Sequence, residues 1–285
     1  MKFITQHYPA GLNTGTKKQK PNTQRGFTLI ELMIAMTVGL ILMLVIGTVF
    51  TSSRQAFRVQ EDNARIQESG RFALEIIGHS IKQAGYAEIP FSDCKLEFAG
   101  TPINGTDGIA GAADTFTVQY DGVIGDQDCT GTGVTAIYSI IQNHFNLDIA
   151  NAELQCFGSI ATPVAPPTPP TCANPVTPII PAAPPPPPSG VVLLENIEDL
   201  QILYGVDTTN DQSVNRYVAV PVDWNLVVTA RVCVLIRSES TNVVTSTAGS
   251  YMDCVGVAQP IPADGRLRRA FTETFNFRNR VNGLP

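Results

Sequence analysis

The sequence has little charge and lacks the common catalytic motifs. Only 15% of its 285 residues are Asp, Glu, Lys or Arg, whereas 44% are hydrophobic. It contains no G-x-S-x-G, H-E-x-x-H or GxxxxGK[ST] sequence, and its histidines (His7, His79 and His144) are isolated from one another. We therefore expect no catalytic residue, no cofactor and no enzyme activity. The length suffices for one sizeable domain plus a membrane segment.

Acidic residues are absent from the first 26 positions, which contain five basic residues: Lys2, Lys17, Lys18, Lys20 and Arg25. Of the 19 basic residues in the chain, 14 therefore remain beyond Gly26, against 25 acidic residues, a balance of −11. An acidic body makes nucleic acid an unlikely partner and also disfavours general adhesion to anionic lipid.

The apolar run that follows lacks proline and carries a single ionisable group. Residues 27–50 are 24 positions with Glu31 as their one charge. As a helix the run reaches about 36 Å, against about 30 Å of hydrocarbon in a bilayer, so it can cross a membrane. The basic residues before it predict that residues 1–26 are cytoplasmic and that the chain beyond residue 50 lies outside, in the periplasm of a bacterium. No small-residue cleavage site follows Phe50, which argues against a secretory signal peptide.

The processing signal lies before the apolar run instead. The sequence 26-GFTLIE-31 resembles the cleavage motif of type IV prepilins and type II secretion pseudopilins. The resemblance implies that prepilin peptidase cuts after Gly26 and methylates the new N-terminal amine, that of Phe27, so that residues 1–26 are a prepilin leader. It also implies that Glu31 meets the Phe27 amine of a neighbouring subunit and sets the register of assembly. The plainer alternative is an interfacial carboxylate whose replacement by alanine is silent.

Residues 51–85 are predicted to continue the same helix as an amphipathic half. Apolar residues recur there at helical spacing: Ile66, Ala73, Ile77, Ile81 and Ala84. Gly85 is the predicted helix stop.

Residues 86–285 are predicted to form a periplasmic, β-rich globular domain. Turn residues punctuate short strand-like segments: 115–120, 134–141, 191–206, 226–237 and 271–277. Residues 161–190 include 13 prolines and are expected to be an exposed insert between strands. The segment 207-DTTND-211 lacks the order of a calcium loop, which favours an Asx-rich turn.

Six cysteines lie on the predicted outer side of the membrane: Cys94, Cys129, Cys156, Cys172, Cys233 and Cys254. An even number in an oxidising compartment favours disulfides. Pairing by sequence proximity gives Cys94 with Cys129, Cys156 with Cys172, and Cys233 with Cys254. No C-x-x-C is present, so we expect no metal site.

Three further segments, 70-GRFALEIIGHSIKQAGY-86, 195-ENIEDLQILYGVDTTND-211 and 265-GRLRRAFTETFNFRNR-280, resemble the PilW-type minor pilins. The resemblance implies a type IV pilin-like α+β fold, in which a long N-terminal helix, half transmembrane and half amphipathic, packs on an antiparallel sheet. It also implies a minor pilin of the inner membrane and then the pilus, in an initiating or tip complex that supports piliation, twitching motility and adhesion. Its partners would be the peptidase, other minor pilins, the major pilin and the inner-membrane assembly platform.

Two alternatives stay open at this point. One is a type II secretion pseudopilin that caps a periplasmic filament, and the other is a membrane-anchored adhesin or DNA-binding surface protein. The basic C-terminal cluster bears on the second alternative: Arg266, Arg268, Arg269, Arg278 and Arg280. These arginines suit a solvated strand, an acidic neighbouring pilin, or DNA, and charge reversal at Arg268 and Arg269 is expected to separate the three.

Overall fold

The computed structural model describes residues 26–88, 98, 100–108, 112–137, 139–161, 190–244 and 249–279. They begin with one 55-residue helix, α1 (Leu29–Gln83). Eleven strands follow: β1 (Ile103–Thr106), β2 (Thr115–Gly122), β3 (Ser139–Asp148), β4 (Glu153–Ala161), β5 (Val191–Glu195), β6 (Ile197–Val206), β7 (Arg216–Val218), β8 (Val227–Arg237), β9 (Ser250–Met252), β10 (Ala258–Pro260) and β11 (Arg268–Asn276). The chain has two compact units, residues 1–53 and residues 54–285.

The strands form three antiparallel sheets. The first is a five-stranded meander in the order β1-β2-β3-β4-β5, and the second has four strands in the order β11-β8-β6-β7. Strands β9 and β10 form a separate hairpin in the segment that connects β8 to β11. A long N-terminal helix packed on antiparallel sheets confirms the predicted α+β fold class.

The second half of α1 provides one wall of the hydrophobic core. Its buried residues recur every three or four positions, which puts them on one face: Asp62, Ile66, Gly70, Ala73, Leu74, Ile77, Gly78, Ser80 and Ile81. In the same core, Phe116 of β2 and Phe145 of β3 stack with ring centroids 4.6 Å apart. The amphipathic pattern of the sequence therefore marks the face that is buried.

Two glycines let the edge strand β11 lie close against α1. A Cβ atom at Gly70 would meet the ring of Phe271, and one at Gly78 would meet the ring of Phe275. The eight residues from Gly70 to Gly78 rise about 12 Å in a helix, and the four residues from Phe271 to Phe275 span about 13 Å in a strand. Because these repeats match, helix and strand run in the same direction with one ring against each glycine.

The helix ends where the sequence predicts a stop. Gln83 is its last residue, and Gly85 takes a left-handed φ of 72°, a conformation that favours glycine. The Asn279 side chain, just beyond β11, donates to the carbonyl of Lys82 at 3.0 Å. This bond satisfies one of the carbonyls that a helix C-terminus leaves unpaired.

One predicted strand is placed wrongly. Residues 134–141 were expected to be extended, but β3 begins at Ser139, and Val134 lies in the preceding loop. Val134 is nevertheless buried, and its backbone bonds reach Gly125 and Asp126 within that loop. Its apolar character therefore reflects the packing of a loop, which a strand pattern does not distinguish.

The disulfide pairing is only partly as expected. Cys233 of β8 is joined to Cys254, as predicted, and the bond fastens the turn of the β9–β10 hairpin to β8. Cys129, however, is joined to Cys156, so the pairings of Cys94 with Cys129 and of Cys156 with Cys172 are wrong. The reason is strand register: the loop after β2 folds across β3, where the Cys129 amide donates to the Asn143 side chain at 2.9 Å. That places Cys129 beside β4 with a Cα separation of 6.2 Å from Cys156.

Cys94, Cys172 and nearly all of the proline-rich segment lie outside the described residues. The strands on either side of that segment, β4 and β5, pair with each other, from Glu153 opposite Glu195 to Cys156 opposite Val191.

Candidate processing and assembly site

The start of α1 brings together the residues of the predicted processing motif. Gly26 and Phe27 precede the helix, Thr28 occupies its N-cap position, and Glu31 lies in its first turn. Phe27 is 84% exposed, so the Gly26–Phe27 peptide bond is accessible and outside any regular structure.

Glu31 also has a local role that the sequence analysis missed. Its backbone N–H donates to the Thr28 hydroxyl at 3.4 Å, and that hydroxyl donates to the Glu31 carboxylate at 3.5 Å. The first of these bonds is the N-cap half of a capping box, whereas the Glu31 carboxylate accepts from the Thr28 side chain and not from its backbone N–H. The Thr-x-x-Glu signal before an apolar run is present in the sequence. Glu31 thus helps to define where the helix begins in the unprocessed chain.

The first half of α1 exposes its whole circumference. Every residue from Gly26 to Arg54 is exposed, and the helix is long and apolar enough to cross a membrane. Threonine hydroxyl groups within it bond to the helix backbone: Thr37 donates to the Ile34 carbonyl at 2.9 Å, and Thr48 donates to the Val45 carbonyl at 2.8 Å. Polar groups that are satisfied within the helix suit a lipid environment, where water is not available as a partner.

Two of the segments that resemble PilW-type pilins, 195–211 and 265–280, contribute β6 and β11 to the second sheet. Asn196 takes a φ of 65° at the corner between β5 and β6, and the next residue, Ile197, is fully buried. Glu198 then receives a bidentate pair of hydrogen bonds from Arg268 of β11, at 2.6 and 2.8 Å. The segment 195–211 is thereby tied to the segment 265–280 across β8.

The Arg268 side chain is therefore buried and already paired within the protein. Its side chain is 5% exposed, and it also binds the carboxylate of Asp264 at 2.7 and 3.0 Å. The hydrogen bond from Arg268 is the main cause that lowers the pKa of Asp264 to about 2. It outweighs burial, which has a smaller effect and raises the pKa. Arg266 donates to the Ser238 carbonyl at 2.7 Å. Neither arginine suits a solvated strand or a DNA contact, and charge reversal at Arg268 would test folding rather than binding.

The segment that begins at Asp207 forms an Asx-rich turn, as predicted. The Asp207 carboxylate accepts the backbone N–H groups of Thr209, Asn210 and Gln212 at 2.7 to 3.0 Å. Burial alone would raise the pKa of Asp207, but these hydrogen bonds outweigh it and lower the pKa. The carboxylate oxygens are thus occupied by the loop itself. Among the described residues, no group of three or more His, Cys, Asp or Glu side chains is arranged to hold a metal ion.

Two parts of the chain match known protein families. Residues 186–279 match type IV pilus-assembly protein W (PilW), and residues 21–47 match the prokaryotic N-terminal methylation motif. These matches confirm the resemblance to PilW-type minor pilins and support a minor pilin of the type IV pilus. The PilW match contains β5 through β11 and so includes the Glu198–Arg268 pair, while the methylation match includes Gly26, Phe27 and Glu31.

Among solved structures, the chain is similar to the type IV-like pilin TTHA1219 from Thermus thermophilus. The sequence identity is 10% and the TM-score 0.43, over 76% of this chain and 100% of that one. No curated protein matches the sequence. Pilins are structural proteins, so the family matches support the expectation that this chain is not an enzyme, and the apolar helix with its methylation motif supports a membrane anchor and a place in the pilus.

Proposed function

We propose that this protein is a minor pilin that is processed after Gly26 and joins other minor pilins in a complex that initiates the pilus or remains at its tip. The observation that carries the proposal is the accessible Gly26–Phe27 bond directly before a capped apolar helix, in a chain whose C-terminal part matches PilW. The partners are prepilin peptidase, other minor pilins, the major pilin and the inner-membrane assembly platform. The helix crosses the inner membrane with the leader in the cytoplasm and the domain in the periplasm.

Glu31 has two successive roles in this proposal. Before cleavage its carboxylate accepts a hydrogen bond from the hydroxyl of Thr28 at the N-cap of the helix. Cleavage creates a positive amine at Phe27, four residues earlier on the helix. A carboxylate within a bilayer costs about 2 to 4 kcal/mol unless it is paired, so the amine of a neighbouring subunit is its favoured partner in the filament. The pairing then fixes the register of otherwise apolar helices.

The charge of Glu31 can be tested apart from its hydrogen bond. Glutamine at position 31 keeps an acceptor for the Thr28 hydroxyl but removes the charge. A gene deletion strain complemented with the wild type, E31Q or T28A is scored for leader removal, piliation, twitching and exoprotein release. We expect E31Q to be processed but to leave cells without pili, and T28A to weaken the helix start by about 1 kcal/mol without abolishing pili.

The same strains separate the alternatives. Normal piliation after deletion, with loss of exoprotein release, would indicate a pseudopilin and contradict the proposal. Normal piliation with loss of adhesion alone would indicate an anchored adhesin.

A further inference from the structure

The part of α1 that directly follows the apolar run carries positive charge only. Residues 51–60 contain Arg54 and Arg58 and no acidic residue, whereas the chain beyond Gly26 as a whole has a balance of −11. Both arginines are exposed, and Phe57, which lies between them in the sequence, is 66% exposed. The charge of this short segment is therefore opposite to that of the domain that follows it.

These side chains are not used in packing the helix on the domain. The side chains of Gln55 and Asp62 are hydrogen-bonded to the loop that follows β8, which defines the side of the helix that faces the domain. With 3.6 residues per turn, Phe57 lies about 150° around the helix from these two, and Arg54 about 90°. The Arg58 guanidinium has no hydrogen-bond or ion-pair partner among the residues that the structure describes.

The length of the apolar run places this segment beside the bilayer surface. The run ends at Phe50 and α1 continues, so Arg54 follows about 6 Å and Arg58 about 12 Å farther along the helix. The headgroup layer extends about 5 to 7 Å beyond the hydrocarbon on each side of a bilayer. Helix side chains lean toward the N-terminus, which here is toward the membrane, so the long Arg58 side chain reaches the layer in which Arg54 lies.

The ligands that this layer offers are the phosphate groups of phospholipids. An arginine guanidinium binds phosphate through parallel hydrogen bonds, and a headgroup with a net negative charge adds electrostatic attraction. The nearest acidic side chain that follows, Glu61, already forms an ion pair with Arg65 at 3.0 Å. The positive charge of Arg58 is therefore available to an anionic lipid.

We propose that Arg54, Phe57 and Arg58 form a binding site for anionic phospholipid in the periplasmic leaflet of the membrane that α1 crosses. The two guanidinium groups bind the lipid phosphate, and the Phe57 ring lies against the glycerol region. The same lipid surface repels the acidic domain, so the site fixes the depth of the helix while the domain stays off the membrane. This inference rests on the membrane anchor in the proposed function.

Two exposed phenylalanines on α1 allow a matched cross-linking experiment. The full-length protein carries the photoreactive amino acid benzoylphenylalanine in place of Phe57 or of Phe72, which lies about 22 Å farther along the helix. It is reconstituted in phosphatidylcholine vesicles that contain phosphatidylglycerol as a minor component and is irradiated, and the mass of each adduct identifies the lipid. We expect a lipid adduct at position 57, with phosphatidylglycerol above its share of the vesicle, and none at position 72.

Charge substitutions then test which residues select the lipid. R58Q should lower the ratio of phosphatidylglycerol to phosphatidylcholine adducts by about fivefold, the attraction of one basic residue to an anionic surface. R54Q/R58Q should bring this ratio down to that of the vesicle, whereas R58K should retain most of the preference because it keeps the charge. R71Q removes an exposed arginine farther from the membrane and should leave the ratio unchanged. Urea unfolding followed by Trp224 fluorescence confirms that each variant folds.

The outcomes are distinct from those that test the proposed function. Adducts at position 57 in the lipid ratio of the vesicle, absence of a lipid adduct there, a cross-link to a second copy of this chain in its place, or an equal loss of preference in R71Q would overturn the lipid site. If deletion of the gene abolishes pili while the wild-type protein shows no preference for phosphatidylglycerol, the lipid site fails and the minor pilin function stands. If deletion leaves pili intact, the proposed function itself fails, whichever lipid the vesicle experiment captures.

Discussion

The two halves of helix α1 are continuous in structure but opposite in what surrounds them. The half up to Arg54 is exposed on all sides, and a Cβ atom added at Gly39 or Gly47 would meet nothing within 4 Å. In the half after Asp62, a Cβ atom at Gly70 or Gly78 would collide with an aromatic ring of β11. The same residue type is therefore interchangeable in one half and required in the other.

The difference shows which physical constraint acts on each half. In the first half nothing within the protein lies near Gly39 or Gly47, so the stability of the domain sets no limit on the volume of these residues. The second half must fit a fixed surface, so its small residues are set by the rings that pack on them. Substitutions at equivalent residue types in the two halves should consequently have very different effects on the stability of the domain.

The largest expected effect removes the ion pairs that tie β11 to Glu198 of β6 and to Asp264. R268A leaves Glu198 and Asp264 without their main partner, and breaking such a mostly buried network should lower the free energy of unfolding by about 4 kcal/mol. Urea unfolding of the full chain in detergent, followed by the fluorescence of Trp224, the one tryptophan, measures it. R278A, at an exposed position, serves as the control. An unchanged midpoint in R268A would show that the network contributes little.

The most direct contrast between the halves uses one substitution at two glycines. G78L forces a side chain into the Phe275 ring and should lower the free energy of unfolding by about 3 kcal/mol, because a packed surface resists added volume. G47L adds the same side chain where nothing lies nearby and should leave the Trp224 transition unchanged. Equal effects of the two substitutions would remove the contrast between the halves.

The disulfide between Cys233 and Cys254 should matter less. It closes a sequence separation of 21 residues, and its loss through C233S/C254S should cost about 2 to 3 kcal/mol. Because the bond fastens only the β9–β10 hairpin, proteolysis should first cut between β8 and β11 and leave α1 intact. Mass spectrometry of the fragments checks this order, and early cutting within α1 would contradict it.

The smallest effect is the response to acid through Asp264. Its pKa is lowered to about 2 in the folded protein, below the ordinary value of about 3.9. A lowered folded pKa stabilises the fold above the unfolded pKa, and this contribution is lost as the pH falls from about 4 through 2. Unfolding midpoints measured across this range should fall less steeply in D264N than in the wild type. If the midpoints of D264N and of the wild type fall equally steeply with pH, Asp264 does not cause the loss of stability in acid.

The sequence predicts the first half of the helix better than the domain. An apolar run and a short motif are local, so the segment from Gly26 to Phe50 and the stop at Gly85 can be read directly from the residues. The N-cap role of Thr28, which accepts from the Glu31 N–H, is equally local and was missed. The Cys129–Cys156 bond and the Glu198–Arg268 pair depend on strand register across β3 and β8, which spacing along the chain does not contain.

Two glycines of the packed half of α1 are only partly predictable from the sequence. Gly70 and Gly78 are visible in the sequence, but their reason is the pair of rings on β11, about 200 residues later.

The measurement that tests the account most directly is the N-terminal sequence and intact mass of the membrane-extracted protein from cells with and without prepilin peptidase. We predict that the peptidase yields a chain that begins at methylated Phe27, and that cells without it retain residues 1–26. Retention of the leader in both strains would deprive Glu31 of its amine partner and would contradict the assignment of this chain as an assembling pilin.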